Sequence, residues 1–118
     1  MPTTSMDEHR ERLIDLGHQV GIPVVVGPRP KGAKPLGDAP AEAQLCRAAD
    51  GGLLVVVDTL ESIEDVESAL HELAHGVVGI DAEWPCFERE AVWALRFGPK
   101  VAAEVARVAW AAGAGPYL

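Results

Sequence analysis

Cysteine is scarce in this chain, with two residues among 118. Cys46 and Cys86 lack the C-x-x-C spacing of a structural zinc site, so both are read as free thiols that pack. Basic side chains are also few: 10 Lys and Arg stand against 18 Asp and Glu, a net charge of −8. Arg29, Lys31 and Lys34 are scattered through a Pro/Gly-rich stretch. The basic stripe that releases phosphate counterions is missing, and no nucleic-acid partner is expected. No apolar run exceeds that of Leu53 to Val57, far short of the roughly 20 residues that span a bilayer, so no membrane partner is expected either. Residues 1–12 are polar and charged, without the apolar stretch of a secretory signal, which makes the cytoplasm the expected compartment.

What is present suits one soluble domain over 1–118, at 48% apolar and 24% charged residues. Leu13, Leu16 and Val20 share a helical face and predict a first helix over 5–18, with Gly17 as terminator. Ile22 to Val26 is β-branched and glycine-bounded, which predicts a strand, with Pro23 favouring its start or a sheet edge. The Pro/Gly-rich stretch 27–40 reads as a long surface loop. Ala43 to Ala48 and Leu53 to Val57 flank Asp50-Gly51-Gly52 and predict a β-hairpin, although the first arm also suits a short helix.

The period then changes. Ser62-Ile-Glu-Asp65 resembles a helix cap, and Ile63, Val66, Leu70, Leu73 and Val77 form an apolar stripe over 62–78. Residues 81–85 read as a turn, Phe87 to Phe97 as a third helix, and Pro99 to about Ala112 as a fourth. The expected fold is α+β: about three mostly antiparallel strands packed on the helix over 62–78, with the other helices behind. Trp84, Trp93 and Trp110 are expected to be core or interface anchors.

That helix carries His71, Glu72 and His75. Histidines four apart lie one turn apart on one face, where two ring nitrogens can reach one metal at about 2.0–2.1 Å. The adjacent glutamate is then placed as general base toward a water rather than as ligand. Leu70, Leu73, Val77 and Val78 around the motif are apolar, and buried His and Glu side chains without a shared task would be costly. A catalytic zinc needs a third protein ligand. Glu90, on the apolar face with Phe87, Ala94 and Phe97, is favoured, while Glu88 reads as a solvated charge. Asp81 stands ten residues after His71, as in metzincins, but Val78 holds the position of their glycine and the only methionines are Met1 and Met6. Glu83, in the turn, and Cys86 complete the candidates. His9, His18, Tyr117 and the arginines are the groups available to support an oxyanion.

Ala69-Leu-His-Glu-Leu-Ala-His75, the strands before it and Glu88-Arg-Glu-Ala-Val-Trp-Ala94 after it resemble the ImmA/IrrE metallopeptidases, over residues 53–97. That family pairs an HExxH helix with a downstream ExEAxxFA helix; Trp93 replaces its usual phenylalanine and Val92 a frequent asparagine. The resemblance implies a zincin-like domain of the glutamate-ligand class. It implies zinc on His71, His75 and Glu90, with Glu72 as base, and cleavage of a protein substrate, often a repressor or other regulator. The alternative expectation is a non-enzymatic, metal-stabilised binding module; a third is a metal-free fold with a fortuitous motif.

Overall fold

A computed structural model describes residues 5–37 and 42–117. Helix α1 (Met6–Val20) starts at Ser5, whose side chain accepts from the Glu8 N–H. Gly17 lies inside this helix rather than ending it. A Cβ there would stand 2.6 Å from the Ile22 carbonyl oxygen, so the glycine answers to close packing and not to termination.

Four strands follow: β1 (Val24–Val26), β2 (Lys34–Pro35), β3 (Ala43–Arg47) and β4 (Leu53–Val57). They form one mixed sheet in the order β1-β4-β3-β2, with β1 parallel to β4 and the other pairs antiparallel. The expectation of three strands is therefore corrected to four. The addition, β2, lies in the stretch 27–40 read as a loop; residues 38–40 of that stretch lie outside the described residues. At the sheet edge Pro35 needs no partner for the N–H it lacks, and the Leu36 N–H donates to the Leu45 carbonyl. The hairpin forms as expected, and its first arm is a strand, with Leu45 opposite Val55.

Strand alternation divides the core. Ala43, Leu45, Val55 and Val57 join the main cluster with Leu70 and Leu73, whereas Cys46, Leu54 and Val56 join Ala33 in a smaller one. The continuous Leu53–Val57 run thus fits a strand covered on both faces.

Helix α2 (Ile63–Val78) packs on β3 and β4 and is flanked by α1, α3 and α4. Its start is specified locally: Asp65 N–H donates to Ser62 Oγ, and Asp65 Oδ2 accepts from the Ser62 N–H, a complete capping box. Helix α3 spans Glu83–Ala94, earlier at both ends than expected. Pro85 sits in its first turn, where a missing N–H costs no helical bond. Helix α4 (Pro99–Ala111) and a final 3-10 turn (Gly115–Tyr117) close the chain. Trp93 is buried as a core anchor, while Trp84 is partly and Trp110 largely exposed. Among the described residues no helix is long and apolar enough to cross a membrane.

Candidate metal centre

Helix α2 presents Glu67, His71 and His75 four residues apart, hence on one face. Each histidine is oriented through Nδ1. His75 Nδ1 lies 3.1 Å from the Gly79 carbonyl oxygen, which can only accept, so that nitrogen carries the proton and Nε2 keeps its lone pair. His71 Nδ1 lies 3.0 Å from Glu90 Oε1 and is fixed in the same sense. The two Nε2 atoms then face each other at 3.1 Å. Glu83, the first residue of α3, brings Oε1 to 3.0 Å from His71 Nε2 and Oε2 to 3.5 Å from His75 Nε2. Two imidazole lone pairs and a carboxylate at such distances repel unless a proton or a cation lies among them. The donor set fits a small divalent cation.

Behind His71 lies a second layer. Glu90 is wholly buried and Glu67 nearly so. Burial, reinforced by contact with Glu90, pushes Glu67 up to about 9. Burial pushes Glu90 up to about 7, opposed by the hydrogen bond from Glu67. As two ionised carboxylates, Glu67 Oε2 and Glu90 Oε2 would both be buried without a partner. A proton retained on Glu67 resolves this, because Glu67 then donates to Glu90 while Glu90 accepts from His71.

Cys86 is fully buried beside His71, with Sγ 3.6 Å from Nδ1 and 4.0 Å from Nε2. Its S–H donates to the His71 carbonyl oxygen at 3.2 Å. Burial first, then the surrounding glutamates, push this thiol far above its ordinary range, which suits a donor and disfavours a thiolate. Two further donor groupings are close enough to share an ion: His71, His75 and Cys86, and Glu67, His71 and Glu90.

Glu72 is half-buried; burial raises its pKa, against the pull of His71, His75 and a hydrogen bond from the Leu45 backbone. It stands between two cavities. One, of about 200 Å³, is lined by Leu36, Ala43, Leu45, Glu72, His75 and Ile80. The other, of about 310 Å³, is lined by Glu42, Ala43, Glu67, His71, Glu72 and Phe87. Phe87 also packs on the His71 ring, with centroids 4.7 Å apart.

The fold thus gathers His71, Glu72, His75 and Glu90, with Glu90 on the outer nitrogen of His71. Asp81 and Glu88 are exposed, and among the described residues neither bonds to a histidine of the pair. His18 is an exposed helix-end residue. His9 is buried against Phe97, with Nδ1 unpartnered and its pKa lowered by burial. The side chain of Tyr117 lies outside the described residues. Sequence reasoning passed over Glu67, although its place four residues before His71 is a readable signal. It gave Glu83 little weight because a turn was expected there. Compared with models of protein families, with curated proteins and with solved structures, the chain has no match.

Proposed function

We propose that this chain is a zinc-dependent endopeptidase of zincin type, akin to the ImmA/IrrE peptidases, acting on a protein or peptide in the cytoplasm. The observation that carries the reading is the pair of Nε2 atoms 3.1 Å apart, both Nδ1 positions occupied, with Glu72 between two cavities beside them. Imidazole nitrogens with a carboxylate suit zinc, which His71, His75 and a glutamate of α3 would hold. Zinc bound there supplies Lewis acidity and lowers the pKa of water.

The chain's own residues do the rest. Glu72 takes a proton from the attacking water and passes it to the leaving amine, a role helped by its upward shift from the ordinary carboxylate range. Gly79 and Glu90 hold the two rings against rotation. Among the described residues β2 pairs only with the Cys46–Arg47 end of β3, and Leu36 bonds to Leu45. On that edge of β3 no strand among the described residues pairs with the Ala43–Gln44 end, beside Glu72, and an extended substrate would add to it as a strand. A purely structural metal site has no use for Glu72 at that position. On the family likeness, the expected substrate is a regulator such as a repressor.

Glu72→Gln tests the reading. Zinc content is expected to stay at that of the wild type, while cleavage of a quenched fluorescent peptide library falls by roughly 10²–10⁴-fold. Equal cleavage by the variant would sink the assignment of Glu72. Zinc binding with no cleavage by either protein would favour the metal-stabilised module.

A further inference from the structure

We infer that Glu83 is the third protein ligand of the metal, and that Glu90 is a positioning residue acting through His71. The assignment rests on the metal reading of this site and departs from the glutamate expected from the sequence. In a tetrahedral site with bonds of 2.0–2.1 Å, neighbouring donor atoms stand about 3.3 Å apart. His71 Nε2 and His75 Nε2 are 3.1 Å apart, and the Glu83 oxygens lie 3.0 and 3.5 Å from them. Each Glu83 oxygen approaches a different ring nitrogen, Oε1 that of His71 and Oε2 that of His75, at the spacing of neighbouring donors around one small ion.

Glu90 does not reach those donors. Its Oε1 is 3.0 Å from His71 Nδ1, and the lone-pair directions of the two imidazole nitrogens diverge across the ring. A group bonded at Nδ1 therefore lies behind the ring, away from an ion at Nε2, in the arrangement by which a carboxylate fixes a metal-bound histidine. Burial agrees with the division of labour. Glu90 is fully enclosed, whereas the Glu83 side chain is about half exposed, so the ligand set stays open to solvent on the Glu83 side. Glu83 also opens α3, where the positive end of the helix dipole favours a carboxylate.

The test is metal binding by the full chain, read without any substrate. Zinc affinity is measured by competition with a chromophoric chelator, and cobalt(II) absorption reports the coordination sphere. Glu83→Ala, at a half-exposed position, is expected to keep the metal-free melting temperature. It should weaken zinc by more than the roughly 10–100-fold typical of an outer-shell change, and alter the cobalt bands. Glu90→Gln, whose amide oxygen still accepts from Nδ1–H, is expected to keep one equivalent of metal and the wild-type bands, with a loss within that range. Wild-type affinity and bands in Glu83→Ala would overturn the assignment alone, as would loss of the bands in Glu90→Gln. A wild-type chain that takes up no zinc would overturn both this assignment and the peptidase reading.

Discussion

Each histidine of the pair is aimed by the nitrogen that does not face its neighbour. Gly79 and Glu90 hold the two Nδ1 atoms, and the lone pairs that remain converge. The HExxH face was legible in the sequence because i and i+4 meet on any helix, whatever surrounds it. Glu83 was not, because its position depends on how the chain turns after Gly79 and on the direction in which α3 leaves. The inward placement of Glu90 was readable from its apolar neighbours, but the ring nitrogen it would meet was not. Cys86 gives a prediction at this scale. With its proton bonded to the His71 carbonyl oxygen it acts as a buried packing group, so Cys86→Ala should leave zinc stoichiometry unchanged. The small cavity should cost about 1 kcal/mol in denaturant unfolding of the metal-free protein. Loss of the metal in that variant would make the sulfur a ligand.

Helix α2 was legible almost to the residue, because its cap and its apolar stripe are local signals. Strand β2 and the parallel pairing of β1 with β4 were not, since partners distant in sequence decide them. The cap carries a pH dependence. Burial by itself would raise the pKa of Asp65, but bonds from the Glu61 backbone, the Glu42 side chain and Ser62 lower it overall. The same contact with Asp65 raises Glu42. A carboxyl whose folded pKa is depressed adds stability above its unfolded pKa and loses it as pH falls through the folded value. Thermal melts should therefore show wild-type stability declining as pH drops below the ordinary aspartate range. Asp65→Asn should show a shallower decline, and Asp65→Ala should cost about 1 kcal/mol at neutral pH. A matching pair of glycines tests packing against propensity. A Cβ at Gly17 meets the Ile22 backbone oxygen at 2.6 Å, whereas at Gly76 it meets the Ile22 Cδ1 tip at the same distance. Gly17→Ala should lower the melting temperature despite the better helix former, and Gly76→Ala should lower it less, because a methyl tip yields and a backbone carbonyl does not.

For the molecule as a whole, an α+β fold with its sheet packed on the motif helix could be read from changes of period along the chain, while the mixed, four-stranded topology could not. That topology sets the Ala43 end of β3 beside Glu72, with a cavity to either side. The metal should also be linked to stability, because the converging donors come from α2 and α3 and exist together only in the folded chain. Zinc free at a hundred times its dissociation constant should add about 2.7 kcal/mol and raise the melting temperature, and a chelator should reverse this. The central claim, that the paired Nε2 atoms hold a metal, is tested most directly by calorimetric titration of zinc into the metal-free wild type and a His71→Ala/His75→Ala variant. One equivalent bound by the wild type and none at comparable affinity by the variant is the predicted result. No binding by the wild type, or equal binding by both, would contradict it.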